Sequence, residues 1–255
     1  MEVVVVPCLY DNYSYLIVNG NEAAVVDPSE AWPVMKAAAD RGLELTAALC
    51  THHHNDHIGG IADLLDEYQN LEVYGFYQDK KRIPLITKPV EDNDRFSVCG
   101  VDVDVIHTPG HTSTHVVYNI EDNLFVGDTM FGAGCGRLFE GTAEQMVYSL
   151  DRILTCGTSS SIFFGHEYTE LNLRFAAQVD PSNPAVEERR KRVGELRKID
   201  QPSTPSTLEE ELATNPFLRI EDQSIIDLLK KEHNLRSTDR VEVFAALREQ
   251  RNHFS

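Results

Sequence analysis

The sequence contains no C-x-x-C pair, and its five cysteines lie far apart along the chain. An odd number of scattered cysteines argues against a disulfide framework and a thiolate zinc site, and it favours a reducing compartment. No stretch approaches 18 uninterrupted apolar residues, and the N-terminal residues lack the basic segment of an export signal. We therefore expect a cytoplasmic protein that neither spans nor binds a membrane.

Basic residues are also scarce. Lysine and arginine total 23 against 41 aspartate and glutamate, which gives a formal net charge of −18. A chain this acidic repels polyanions, so nucleic-acid binding is not expected, and an anionic substrate would need a locally positive site. The 42% hydrophobic and 25% charged residues are typical of a globular protein. Separately, we expect the protein to be a monomer.

Short β-branched runs separated by turn signals dominate the first two thirds of the sequence. Apolar residues at helical spacing predict helices over residues 32–41 and 61–68. Strands are predicted over residues 3–6, 15–18, 23–26, 45–50, 71–74, 101–106, 116–120, 124–126 and 162–164. This pattern predicts a mixed α/β domain with many hairpins.

The β-branched runs vanish after about residue 179. A long polar helix is predicted over residues 185–199, and helix start signals follow at Thr207 and Asp239. We therefore predict two domains, a mixed α/β domain over residues 1–172 and a helical domain over residues 173–255.

The densest chemical signal is the segment T-H-H-H-N-D-H at residues 51–57. It follows a predicted strand and precedes Gly59-Gly60, so we expect a loop at the end of the strand, where side chains can converge. The segment supplies four donors: His52, His54, Asp56 and His57. Imidazole and carboxylate without thiolate are ligands of zinc, iron and manganese.

Three further donors each follow a predicted strand. His111 lies in T-P-G-H-T, Asp128 in G-D-T and His166 in G-H-E-Y. Seven donors exceed the needs of one ion, so we predict two divalent ions, with zinc expected and iron or manganese also suitable. The predicted ligands are His52, His54 and His111 on one ion, Asp56, His57 and His166 on the other, and Asp128 as the bridge.

At these seven positions the chain resembles the metallo-β-lactamase superfamily and, within it, the glyoxalase II (hydroxyacylglutathione hydrolase) family. The similarity extends to D-N-Y at residues 11–13, G-C-G-R-L-F-E-G-T at 134–142, H-E-Y-T at 166–169 with Asn172, P-S-T-L-E-E at 205–210 and N-P-F-L-R at 215–219. The resemblance implies a metallo-β-lactamase αββα sandwich followed by a small all-α C-terminal domain that completes a glutathione pocket.

The resemblance also implies the reaction. The expected substrate is S-D-lactoylglutathione, a glutathione thioester that is hydrolysed to glutathione and D-lactate in methylglyoxal detoxification. The expected nucleophile is a hydroxide bridging the two metals, and Asp56 and Asp128 are the expected catalytic residues because they fix its direction. The implied substrate contacts are Arg137, Phe139, Tyr168, Arg248 and Arg251.

Several residues need separate interpretation. Thr114 stands before His115 where the family usually has glycine, and Phe139 stands where many members have tyrosine. His53, His107 and His115 are expected to support the structure rather than bind metal, because the donor set is complete without them.

Other functions fit the sequence less well. A glutathione persulfide dioxygenase of the same superfamily would, by resemblance, use one iron and lack the helical tail that carries Arg248 and Arg251. A β-lactamase would be expected to have an export signal, and an RNA-processing nuclease conflicts with the charge of −18. A glutathione-binding protein without turnover would be expected to have a broken ligand set, and none of the seven donors is missing.

Overall fold

The computed structural model describes residues 1–83, 85–233, 235 and 237–255, and these residues form two compact units. The first unit contains residues 1–107 and 114–127, and the second contains residues 108–113 and 128–255. The division into domains 1–172 and 173–255 stays a prediction.

The first unit begins with a sheet whose strands lie in chain order. They are β1 (Glu2–Cys8), β2 (Asn12–Asn19), β3 (Glu22–Val26), β4 (Glu44–Leu49), β5 (Glu72–Phe76) and β6 (Lys88–Val90). The β1–β2 and β2–β3 pairs are antiparallel, and the pairs from β3 to β6 are parallel. A parallel pair needs a crossover. The crossovers contain α1 (Ala31–Ala39), α2 (Asn55–Ile58), α3 (Ile61–Glu67) and a 3₁₀ helix (Tyr77–Lys81).

Helices α1 and α3 pack on one face of this sheet. Val34 and Ala38 are four residues apart in α1, and Ile61 and Leu64 are three apart in α3, so each pair lies on one side of its helix. All four side chains join a buried cluster with apolar residues of the strands. This packing fixes the strand ends from which the histidine segment emerges.

An antiparallel meander forms the other sheet of the first unit. Its strands are β7 (Arg95–Val98), β8 (Val101–His107), β9 (Val116–Ile120) and β10 (Asn123–Gly127). The ring centroids of Tyr15 and Phe125 are 5.6 Å apart, and the Tyr118 hydroxyl donates to the Cys50 carbonyl at 3.0 Å. The two sheets therefore pack face to face.

The second unit is mostly helical. Its helices are α4 (Ala143–Leu154), α5 (Thr169–Val179), α6 (Pro184–Lys198), α7 (Leu208–Thr214), α8 (Gln223–His233) and α9 (Arg240–His253). Its strands are β11 (Met130–Phe131) and β12 (Gly134–Cys135), which form a hairpin, and β13 (Ser161–Phe164) and β14 (Ser206–Thr207), which pair antiparallel. Thr142 and Gln145 form a capping box that begins α4.

The mixed α/β character and the change to a helical C-terminal region are confirmed, but the helices begin with α5 at Thr169, before the predicted change near residue 179. Every predicted strand and helix overlaps an observed element, and the long polar helix is Pro184–Lys198. The prediction did not include β6, β7, α4, α5 or the 3₁₀ helix. The two-residue strands β11, β12 and β14 are too short to give a periodic pattern. No helix in the described part of the chain combines the length and apolarity needed to cross a bilayer.

Candidate metal centre and substrate cavity

The first unit places two imidazole donors side by side. His52 is fully buried, and its Nε2 lies 3.1 Å from Nδ1 of His54. Two nitrogen ligands at 2.0–2.1 Å from one tetrahedral zinc ion would lie roughly 3.3–3.4 Å apart. The separation of these two nitrogens therefore suits two ligands of the same ion.

Asp56 and His57 lie on the one-turn helix α2, which begins at Asn55, so the prediction that the whole segment is a loop was wrong at residues 55–57. The Asp56 Oδ2 and His57 Nε2 atoms are 3.8 Å apart. The Asn12 side-chain amide donates to the Asp56 backbone carbonyl at 2.9 Å and to its Oδ2 at 3.3 Å. Asn12 thus fixes the Asp56 carboxylate, which gives a physical role to the D-N-Y stretch.

Asp27 is a buried carboxylate that the predicted site did not include. Its Oδ1 accepts from Thr51 N at 2.7 Å, and its Oδ2 accepts from Thr51 Oγ1 at 2.7 Å and lies 3.0 Å from His57 Nδ1. Parallel pairing of β3 and β4 brings Asp27 beside the histidine segment. The only sequence signal was its position at the end of a strand, which it shares with the predicted donors.

The hydrogen bonds of Asp27 determine which imidazole nitrogens can bind metal. A carboxylate only accepts, so His57 Nδ1 carries the proton and its Nε2 keeps a lone pair. The Thr51 hydroxyl donates to Asp27, so it accepts from His52 Nδ1, which is 3.0 Å away. His52 Nε2 therefore also keeps a lone pair, as a metal ligand requires.

In the second unit one carboxylate faces two imidazoles. Asp128 is buried, and its Oδ2 lies 3.3 Å from His111 Nε2 and 3.5 Å from His166 Nε2. His111 Nδ1 donates to the Arg137 carbonyl at 2.8 Å, so Nε2 is again the nitrogen with the lone pair. These spacings suit a carboxylate oxygen shared by two ions, because the two histidines were predicted to bind different ones.

The three remaining histidines have other neighbours. The ring of His115 stacks on His52 with centroids 4.8 Å apart, and the ring of His107 stacks on Phe76 at 4.6 Å. His53 Nδ1 lies 3.7 Å from a carboxylate oxygen of Asp79. These contacts support the interpretation that the three residues hold the structure around the ligands.

Thr114, which departs from the glycine that the resemblance implies at this position, belongs to a buried polar group. Its hydroxyl donates to Asp79 Oδ2 at 2.7 Å and accepts from Arg82 Nη2 at 2.6 Å. Asp79 is fully buried and also binds Arg82. Thr114 therefore links the 3₁₀-helix region to the segment that carries His115.

A cavity of about 480 Å³ lies within the second unit. Seven predicted site residues line it: His111, Asp128, Arg137, Phe139, Tyr168, Arg248 and Arg251. The lining also includes Phe131, Cys135, Leu171, Asn172, Asn252 and Phe254, which the prediction did not assign to the site. Cys135 and Asn172 fall inside the family-like stretches, which was the one signal that could have included them.

Two arginines from α9 make one wall of the cavity positive. Arg248 is buried, donates from Nη1 to the Cys135 carbonyl at 2.7 Å, and lies over the Phe217 ring. Arg251 Nε donates to Asn172 Oδ1 at 3.0 Å. Burial and the nearby charge of Arg248 lower the pKa of Arg251 to about 10, which leaves it charged at neutral pH.

The aromatic residues of the cavity contact the metal-ligand candidates. Tyr168 stacks parallel to His166 with ring centroids 4.8 Å apart, and Phe139 meets the His111 ring edge-on at 5.2 Å. Phe139 is 61% exposed and has no hydroxyl, so it offers a ligand an apolar surface only. Burial raises the pKa of the Cys135 thiol, although Arg248 acts in the opposite direction.

Comparison with known proteins connects both parts of the chain to one family. Residues 9–166 match the family model "Metallo-beta-lactamase superfamily", and residues 167–254 match "Hydroxyacylglutathione hydrolase C-terminus". A hydroxyacylglutathione hydrolase from Xanthomonas campestris is 41% identical over 255 residues, covering 100% of this chain and 99% of the relative. The chain belongs to the hydroxyacylglutathione hydrolase family. Another member, from Synechococcus, is 43% identical over 258 residues with complete coverage of both chains.

Solved structures bear on the fold of this family member. ETHE1 from Myxococcus xanthus covers 100% of both chains with a TM-score of 0.66 and 24% identity. The BLEG-1 B3 metallo-beta-lactamase covers 85% of this chain and 99% of its own, with a TM-score of 0.65 and 21% identity. The predicted metallo-β-lactamase fold with a helical C-terminal region is therefore confirmed.

We expect Asp27→Asn to lower metal affinity about 10- to 100-fold, because an amide would present a donor where Thr51 or His57 now donates. Chelator competition with zinc-loaded protein measures the change. Asp40→Asn, at the exposed end of α1, is the matched control and should leave the affinity unchanged. Equal affinities for the two variants would contradict the role assigned to Asp27.

Proposed function

We propose that this protein is a thioester hydrolase that cleaves S-2-hydroxyacylglutathione, with S-D-lactoylglutathione as the main substrate, to glutathione and D-lactate. Membership in the hydroxyacylglutathione hydrolase family supports the reaction. The observation that carries the proposal for this chain concerns Asp128. One oxygen of its carboxylate, Oδ2, faces both His111 and His166 beside a cavity lined by arginines.

Seven side chains would hold two divalent ions, with zinc proposed as the native metal. His52, His54 and His111 would bind one ion, Asp56, His57 and His166 the other, and Asp128 both. The separations of 3.1, 3.3, 3.5 and 3.8 Å between donor pairs within each unit support this set. When bound, such ions act as Lewis acids toward a carbonyl oxygen and lower the pKa of coordinated water to about 7.

The carboxylates would orient the attacking water, and the residues of the cavity wall would contact the substrate. Asp56, fixed by Asn12, and Asp128 are proposed to accept hydrogen bonds from the attacking water and so to set its direction. Arg137, Phe139 and Tyr168 would line the path of the substrate. The leaving thiol has a pKa of about 8.5, so it departs as thiolate with little need for a general acid.

The two α9 arginines would bind the glycyl carboxylate of glutathione. They supply the local positive charge that a chain of net charge −18 needs in order to hold an anion. We further propose that the protein acts as a cytoplasmic monomer, without nucleic-acid or membrane partners.

The purified protein should carry close to two metal ions per chain and hydrolyse S-D-lactoylglutathione without consuming oxygen. Metal analysis, loss of the thioester absorbance and an oxygen electrode measure the three quantities. One iron per chain together with oxygen uptake on glutathione persulfide would instead identify a dioxygenase.

Asp128→Ala should abolish turnover and lower the metal content, because it removes a ligand from both ions and leaves their mutual repulsion less compensated. Metal analysis and steady-state kinetics measure these losses, and circular dichroism checks that the fold is kept. Asp102→Ala removes an exposed carboxylate of β8 and should change neither quantity. Full metal content and near-normal kcat in Asp128→Ala would exclude the bridging role.

Arg251→Ala should raise KM for the glutathione thioester about 10- to 150-fold and spare kcat, since a charge-assisted hydrogen bond equal in ground and transition states is lost. The increase should shrink for a thioester that lacks the glycyl carboxylate. Arg174→Ala removes an exposed cation of α5 and is the control. Equal losses with both thioesters would show that Arg251 does not bind the carboxylate.

A further inference from the structure

Two family-like stretches, residues 205–210 and 215–219, have no place in the proposed reaction. The first stretch runs into the start of helix α7, the second begins directly after its end, and the last turn of α7 contains Glu211. Both Glu211 and Asn215 are fully buried. Their side chains converge on the β11–β12 hairpin, which lines the substrate cavity through Phe131 and Cys135.

The hairpin turn depends on these two side chains for its backbone hydrogen bonds. Ala133 has a positive φ of 53°, which is uncommon for a residue with a Cβ, and its N–H donates to Glu211 Oε2 at 2.8 Å. The Asn215 amide donates to the Gly134 carbonyl at 2.9 Å and to Glu211 Oε2 at 3.1 Å. Without them the buried turn would lose its partners.

The other side of the hairpin is held just as closely. The Asn172 amide donates to the Gly132 carbonyl at 3.0 Å. A Cβ at Gly134 would lie 2.3 Å from the nitrogen of that amide, so only glycine fits there. The hairpin is therefore confined between α5 and the residues around α7.

Glu211 is itself fixed by a second pair of donors. Its Oε1 accepts from Arg189 Nη2 at 2.5 Å and from Ser206 Oγ at 2.7 Å. Arg189 is 2% exposed, so its charge balances that of the carboxylate inside the protein. Four donors on one carboxylate leave it a single orientation.

The hairpin connects this buried group to the candidate site. Asp128 lies two residues before β11, and the Phe131 ring contacts the rings of His166 and Tyr168 at 5.9 and 5.2 Å. At the other end, the Cys135 carbonyl accepts from Arg248. A shift of the hairpin would therefore displace both the bridging-ligand candidate and the arginine wall.

We propose that Glu211, held by Arg189 and assisted by Asn215, is a positioning residue that fixes the β11–β12 hairpin and, through it, Asp128 and Arg248. It contacts neither the metal-ligand candidates nor the cavity. The kinetic part of this inference rests on the proposed thioester hydrolysis, whereas the mechanical part does not.

The test compares Glu211→Gln with Glu210→Gln. Glu210 lies on the same helix and pairs with Arg189 at 3.3 Å and with Arg192, but none of its contacts involves the hairpin. Hydrogen exchange of the peptide over residues 129–136 should accelerate on the order of tenfold in Glu211→Gln, because the Ala133 amide loses a charged acceptor. Glu210→Gln should exchange like the wild type.

Metal retention and kinetics provide two further readouts. In Glu211→Gln, zinc affinity by chelator competition and kcat/KM should each fall about 10- to 100-fold. Val193→Ala removes core volume from α6 in the same unit and is the control for general destabilisation. It should lower the melting temperature with normal hairpin exchange and zinc affinity.

If Glu211→Gln does not fold, Asn215→Ala replaces it, because this change leaves the Glu211–Arg189 pair intact. Unchanged hairpin exchange in the folded variant, or equal acceleration in Val193→Ala, would overturn the proposal. A wild-type protein that does not hydrolyse the thioester would refute the proposed function only, since exchange and zinc affinity are measured without substrate.

Discussion

The orientation of each candidate imidazole depends on what its Nδ1 atom binds. Asp27 accepts from His57 directly and from His52 through the Thr51 hydroxyl, while the Arg137 carbonyl accepts from His111. In all three rings the proton is thereby held on Nδ1, and the Nε2 lone pair is available to a cation. The metal binding proposed for these rings thus depends on acceptors that are not among the seven predicted ligands.

The metal-ligand candidates depend on hydrogen-bond acceptors, whereas the cavity needs positive charge. The chain has an excess of 18 negative charges, yet a glutathione thioester is also an anion. Arg248 and Arg251 meet this requirement by proximity. Arg248 is buried and Arg251 half-buried on one wall of the cavity, so they interact with an anion through less water than the exposed carboxylates do. Net charge describes the whole surface and says little about such a wall.

Much of the fold and of the candidate site could be predicted, and the exceptions have physical causes. The seven donors could be predicted because imidazoles at strand ends are a dense signal. The long strands were predicted correctly because their apolar residues are periodic. Asp27 was missed because a single aspartate after a strand looks like any turn residue until β3 and β4 pair. Helix α2 is one turn long, and the role of Glu211 depends on a hairpin 78 residues away in sequence. Contacts of this kind have no local pattern.

The Cys135 thiol in the cavity wall could in principle take the acyl group from a bound thioester. A thiolate beside a thioester would exchange with it and carry the acyl group on the protein, but a protonated thiol is a poor nucleophile. Burial raises the pKa of Cys135 and so keeps the thiol protonated at neutral pH. In a cavity that binds thioesters, Cys135 therefore does not compete for the acyl group, and water remains as its acceptor.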